Sequence, residues 1–297
     1  MKRKLLLLIV CATLICGNPV SGADGDYDRI SFASANTSGA TINGLAFRPN
    51  GRGPFGAVIG MHGCNGLFED DGVAVAHYVY WARQLRDAGY LVLLIDSLGS
   101  RGIGSLCTSR SPSPIKRDDL SGDAFGALMY IRKREDVDPA AIAIIGWSMG
   151  ADTVLNTISG SSRTRPTDLG TDFSAAIVFY PSCSFLERNT RWMPVVPLLF
   201  QLGAADQSTP PQPCVALFEK ARAGGATVDF DLYPDAYHLF DHPEMVLHPY
   251  SAIVYRDGSS PMIGANVIAR AAAIARVKSY LQQNLKIEKR WQPKESN

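Results

Sequence analysis

Two rhythms of apolar and polar positions alternate along the chain. Runs in which nearly every residue is apolar recur at 55–61 (FGAVIGM), 90–96 (YLVLLID), 142–146, 175–180 and 197–202. Runs of this kind bury both faces, as the strands of a parallel sheet covered by helices do. Weaker strand patterns at 30–32, 41–47 and 227–233 complete the set. Between strands the period lengthens to that of a helix. Val75, Val79, Ala82 and Leu85 recur at helical spacing over 73–88, and Gly89 closes that segment as glycine commonly closes helices. Further helices are expected over 116–133, from the sharp turn 146–150 towards Ser159, over 214–223, and over an Ala-rich amphipathic stretch at 265–285.

Strands alternating with helices in this way predict an α/β fold with a doubly wound, mostly parallel sheet. Such sheets build their sites from loops at the carboxyl ends of the strands. About sixteen residues lie between Tyr180 and Pro197, too few for a large lid domain there.

Composition adjusts this picture at the amino terminus. Lys2, Arg3 and Lys4 precede an apolar run from Leu5 to Cys16, and Ser21 and Ala23 stand at −3 and −1 of a cleavage after Ala23. This is the layout of a secretory signal peptide over 1–23, with one domain over 24–297. The run is shorter than the ~20 residues of a comfortable membrane span. Lipoprotein anchoring at Cys16 is the rival, but Ile15 is bulky where lipoprotein signals carry a small residue. The reading is therefore a secreted or periplasmic protein with no stable membrane span in the mature chain.

Without residues 1–23 the chain carries 26 Lys/Arg against 28 Asp/Glu, a formal charge of −2. That balance gives no electrostatic case for nucleic acid. Four cysteines remain, Cys64, Cys107, Cys183 and Cys214, with neither a CxxC pair nor a histidine at zinc-ligand spacing, so no metal site is read. An even number in an exported protein points to two disulfides, for which three pairings exist.

The strongest chemical signal is Gly146-Trp147-Ser148-Met149-Gly150. It fits G-x-S-x-G, follows a strand and opens a helix, the setting a nucleophile elbow needs. A serine hydroxyl is a weak nucleophile and requires a base that is itself oriented by an acid. The chain order for this setting is serine, acid, histidine. His238 follows the last strand directly and is preferred as base over His242 and His248, each of which precedes a proline. Asp206 follows the strand at 197–202 and is preferred as acid over Asp235, Asp152 and Asp172, with a turn or helix-cap aspartate as its plainer reading. The backbone N–H groups of Met149 and of Cys64, in the loop HGCNG after the strand at 55–61, are the candidate oxyanion donors. His62 is read as bracing that loop.

These segments together resemble the dienelactone hydrolase family of the α/β-hydrolase fold, over roughly residues 40–285. The resemblance is carried by MHGCNG (61–66), WARQLRDAGY (81–90), LLIDSLGSRG (93–102), GWSMGA (146–151), LGAAD (202–206) and YPDAYHLFD (233–241). It implies hydrolysis of a small-molecule carboxylic ester or lactone by a Ser148–His238–Asp206 triad, without a cofactor. The namesake enzymes use a cysteine nucleophile where this chain has Ser148, which makes the family name a poor guide to substrate. Within that fold, Cys64 and Cys107 leave neighbouring strands at the active-site edge, as do Cys183 and Cys214, so these are the expected pairs. Arg101 is a candidate holder of a substrate carboxylate or a loop brace, and Trp147 and Tyr237 are candidate substrate contacts. A peptidase or acyltransferase on the same triad, or a catalytically silent binding module, stands as the alternative.

Overall fold

The computed structural model describes residues 25–36, 39–107, 113–187, 189 and 191–286. The segment 1–23 read as a signal peptide, with Cys16, part of the loop at 97–114 and the last eleven residues lie outside them. Ten strands and six α-helices follow in chain order: β1 (Asp28–Ala33), β2 (Thr41–Phe47), β3 (Phe55–Met61), α1 (Ala76–Arg86), β4 (Leu91–Asp96), α2 (Arg117–Ile131), β5 (Val137–Trp147), α3 (Met149–Thr157), β6 (Ala175–Phe179), α4 (Ser184–Glu187), β7 (Leu198–Gly203), α5 (Gln212–Ala223), β8 (Val228–Tyr233), β9 (His248–Pro249), β10 (Met262–Ile263) and α6 (Val267–Asn284).

Eight strands form one sheet in the order β1-β2-β4-β3-β5-β6-β7-β8. The pairs β1/β2 and β2/β4 are antiparallel, and every pair from β4 to β8 is parallel. The contiguous apolar runs have the cause inferred from the sequence. In β4, Leu91, Leu93 and Ile95 pack into the layer of α2, α3 and α5, while Val92 and Leu94 pack into that of α1 and α6. Side chains alternate across a strand, so burial of both faces leaves no polar position in the repeat.

Chain order reverses direction across the sheet at β3, which lies between β4 and β5. The helix after β3 covers one face and the helix after β5 the other. Their loops diverge at the carboxyl ends of the strands and leave a crevice, the usual site in such a sheet.

The structure adds to the sequence reading. The run at 142–146 belongs to a longer strand β5 that starts at Val137, with its register against β3 shifting between Phe55 and Ala57, and the short helix α4 lies where no helix was read. The hairpin β9/β10 was not foreseen, since its strands have two residues each and no periodicity can register them. No described helix is long and apolar enough to cross a membrane.

Candidate active site

Ser148 sits between β5 and α3 with φ 51° and ψ −117°. A serine in this sparsely populated region costs of order 1–3 kcal/mol, which the surrounding packing must offset. Its N–H donates to the Phe179 carbonyl at 3.0 Å. The two flanking glycines are required by space. A Cβ on Gly150 would lie 2.1 Å from the Met61 carbonyl oxygen, and one on Gly146 2.4 Å from that of Gly150. The missing side chains let α3 start directly against the end of β3.

Acid and histidine come from the loops after β7 and β8 at the same sheet edge. Ser148 Oγ lies 3.1 Å from His238 Nε2, and His238 Nδ1 lies 2.8 Å from Asp206 Oδ2. With two oxygens at Nδ1, Asp206 Oδ2 and Thr209 Oγ1 at 3.1 Å, that nitrogen carries the proton. Nε2 is left to accept the Ser148 O–H. Asp206 also does what its plainer reading required, because its Oδ1 accepts from the N–H groups of Ser208 and Thr209 at 2.8 and 2.9 Å. One carboxylate oxygen closes the turn and the other faces the imidazole.

Thr209 was missed by sequence reasoning. Its hydroxyl lies 2.9 Å from Asp206 Oδ2 and 3.0 Å from the Tyr180 carbonyl oxygen. The only available signal was its position three residues after the acid.

The loop after β3 is held from three sides. Gly63 N–H donates to the Tyr78 phenol oxygen at 2.8 Å, and the phenol donates to Asn65 Oδ1 at 2.7 Å. Burial raises the Tyr78 phenol far above its ordinary range, so it stays protonated. Leu106 N–H donates to the Cys64 carbonyl at 2.8 Å, and the Cys64–Cys107 disulfide ties the same two loops. His62 braces the loop: its Nε2 accepts from Ser97 N–H at 3.2 Å, which leaves Nδ1–H to donate to the Gly63 carbonyl at 2.7 Å. Burial lowers its pKa and keeps it neutral. Among the described residues neither Cys64 N–H nor Met149 N–H donates to a protein acceptor. The second disulfide, Cys183–Cys214, joins the loop after β6 to α5.

Two candidate substrate contacts are corrected. The Arg101 guanidinium is spent on Asp123, with nitrogen–oxygen distances of 2.7 and 2.8 Å, and on the Ser97 carbonyl at 2.7 Å. A forked guanidinium bound to a carboxylate in this way is a loop brace, unavailable to a substrate carboxylate. Tyr237 does not line the cleft over Ser148, whereas Trp147 lies beneath it, 1% exposed. His242 and His248, passed over as base, both line this cleft. Burial, then the neighbouring His77, lowers the His242 pKa to about 4.

The cleft holds about 380 Å³ and opens over Ser148 and His238. Val75, Leu239, Met245, Tyr250, Ile253 and Ile263 supply most of its apolar wall. Three of them stand in or between the strands of the unforeseen hairpin. Glu69 is the only carboxylate among the described lining residues, and no lysine or arginine is among them.

Of the other aspartates weighed as acid, Asp172 pairs with Arg165, and Asp152 accepts from the N–H and hydroxyl of Ser182 at 2.8 and 3.1 Å. Burial raises the Asp152 carboxyl to about 6, with the Ser182 N–H opposing. A carboxyl with a raised folded pKa contributes fully below its unfolded value of 3.8, and that contribution is lost as pH rises through about 6. Asp152→Asn cannot ionise. Its Tm relative to the parent should therefore rise by about 3–6 °C between pH 4.5 and 7.5. A flat difference in scanning calorimetry would show that Asp152 ionises freely in the folded protein.

A model of the dienelactone hydrolase family matches residues 42–285. Among solved structures, a dienelactone hydrolase-like promiscuous phosphotriesterase from metagenomic libraries superposes with a TM-score of 0.64 at 18% identity, covering 88% of this chain and 100% of that one. Native esterase 2 of the Planctomycetes species Thermogutta terrifontis gives 0.60 at 15% identity, covering 88% and 94%. Its propionate-bound form gives 0.58 at 16%, covering 85% and 93%. No curated protein matches the chain.

Proposed function

Because this chain belongs to the dienelactone hydrolase family and is a hydrolase, we propose that it cleaves an uncharged carboxylic ester or lactone through an acyl-enzyme on Ser148. The observation that carries this reading is the hydrogen-bonded chain Ser148 Oγ, His238, Asp206, built at the carboxyl ends of the parallel strands β5, β8 and β7. Ser148 Oγ attacks the carbonyl carbon while His238 Nε2 takes its proton. Asp206 holds the imidazole in the required tautomer and stabilises the imidazolium. The N–H groups of Met149 and Cys64 donate to the developing oxyanion; each such donor contributes on the order of 10²–10³ in rate. His238 returns the proton to the departing alkoxide, and water then attacks the acyl-enzyme by the same steps in reverse.

A fluorophosphonate probe tests the reading. The folded protein should take up one label at Ser148, and Ser148→Ala should take up none. An unlabelled wild-type protein, with no turnover of nitrophenyl esters or lactones, would mean a binding module instead. Two disulfides and the leader-like segment at 1–23 support an exported, oxidising location.

Substrate charge follows from the cleft wall. A carboxylate-bearing substrate meets Glu69 and no described cation. Glu69 is exposed, and water screens it, which limits the discrimination to about tenfold. 4-Nitrophenyl butyrate should therefore exceed mono-4-nitrophenyl succinate in kcat/KM by about that factor at low salt. Glu69→Lys should erase the preference and leave the neutral ester within twofold. Equal wild-type turnover of both esters would remove Glu69 from specificity.

A further inference from the structure

Asp241 is a fully buried carboxylate, three residues after His238, to which the mechanism above gives no part. It collects four donors from three separate segments: α1, the end of β5 and the residue after β6. Its Oδ2 accepts from His77 Nε2 at 2.9 Å, Trp81 Nε1 at 2.7 Å and Trp147 Nε1 at 2.9 Å. Its Oδ1 accepts from the Tyr180 hydroxyl at 2.7 Å. A carboxylate has about four lone-pair positions and no proton to donate when ionised, so four donors match its capacity in number, three of them crowded on Oδ2. Burial by itself pushes the group up, but His77 and the other donors overcome this and hold it below the ordinary carboxylate range.

Two of the four donors reach the reacting groups. Trp147 directly precedes Ser148, so its indole fixes the last residue of the strand that presents the nucleophile. The Tyr180 ring lies against the His238 ring, with centroids 4.5 Å apart and planes at 56°. Tyr180 is itself held at φ 39°, a conformation a tyrosine rarely adopts. Its carbonyl receives the Thr209 hydroxyl, whose oxygen lies 3.1 Å from His238 Nδ1. Tyr180 therefore reaches the imidazole twice, once through its ring and once through Thr209. Its hydroxyl is the only part that Asp241 holds.

We propose that Asp241 is a positioning residue for the reaction: its carboxylate, accepting four hydrogen bonds, fixes Tyr180 against His238 and Trp147 behind Ser148, so that nucleophile and base share one anchor. An apolar residue would pack the site but leave two indoles, an imidazole and a phenol buried without an acceptor. Asparagine would turn an NH2 towards donors. Only an ionised carboxylate on this loop satisfies all four while placing no charge on the substrate side. The carboxylate touches neither substrate nor triad and acts through rings and backbone alone.

The decisive variant is Tyr180→Phe, which keeps the ring and deletes only the hydroxyl bound to Asp241. Its kcat for 4-nitrophenyl butyrate should fall about tenfold with KM within twofold, and fluorophosphonate labelling of Ser148 should slow in parallel. Ile131→Val, in the core on the opposite face of the sheet, serves as a control for general loss of stability and should keep wild-type kcat. Asp241→Asn should lose more activity than Tyr180→Phe; where it fails to fold, Tyr180→Phe decides alone. Wild-type kcat in Tyr180→Phe would overturn the proposal. So would a loss confined to KM, or losses in both variants that simply follow Tm. A failure of the triad reading is distinguishable, since the wild-type protein would then not label at all.

Discussion

Ser148→Ala should lower kcat for a nitrophenyl ester by at least about 10⁴-fold while the fold, the Tm and the KM stay near those of the parent. The split follows from geometry. The hydroxyl is the only atom removed, it faces the cleft, and its one side-chain partner is His238 Nε2. The elbow itself rests on backbone contacts, Ser148 N–H to the Phe179 carbonyl and the close approach of Gly150 to Met61, which alanine leaves intact. Alanine also tolerates the φ of 51° no better than serine, so no strain is released that would mask the loss. Residual turnover would come from the Cys64 and Met149 N–H groups and from binding. A variant that keeps a tenth of the wild-type rate would show that another nucleophile, or water activated directly by His238, does the chemistry. Calorimetry beside stopped-flow kinetics separates that outcome from unfolding.

Sequence made the scaffold legible where a physical constraint writes itself into consecutive residues. Double-sided burial gives the unbroken apolar runs of β3 and β4, and the crowding at an elbow gives Gly146 and Gly150. His238 and Asp206 were legible because strand ends are visible from the runs that precede them. The rest of the site is written across the chain. Asp241 reads as one more loop aspartate until α1, β5 and the end of β6 bring their donors to it from 61 to 164 residues away. Arg101 shows the converse. Its loop placement fitted a substrate contact equally well, and only Asp123 on α2, 22 residues on, decides for the brace. The hairpin that walls the cleft has no periodicity at all. Loops of this kind are fixed by what they pack on, which single-sequence patterns do not record.

Gly150→Ala should be among the most damaging conservative substitutions available in this chain, through space rather than backbone freedom. Its added methyl would stand 2.1 Å from the Met61 carbonyl oxygen and 2.5 Å from that of His62. Both are backbone atoms, and that of Met61 ends a fully buried central strand, so neither can rotate away as a side chain would. Either α3 or the end of β3 must move by about an ångström. Overpacking a core against side chains costs about 1–3 kcal/mol, and rigid backbone on both sides places this case at or above the upper end. The movement also falls between the two proposed oxyanion donors, since Met149 starts α3 and Cys64 lies three residues past Met61. A misplacement of about 1 Å costs on the order of 10²-fold in rate. The folded fraction of Gly150→Ala should therefore turn over at least about 100-fold more slowly than the parent, with a Tm lower by about 6 °C or more. Gly104→Ala is the matched control, because a Cβ there meets nothing within 4 Å. A Gly150→Ala protein with the Tm and rate of that control would mean that the end of β3 and the start of α3 stand further apart than a nucleophile elbow requires, and the proposed oxyanion site would lose its geometric basis.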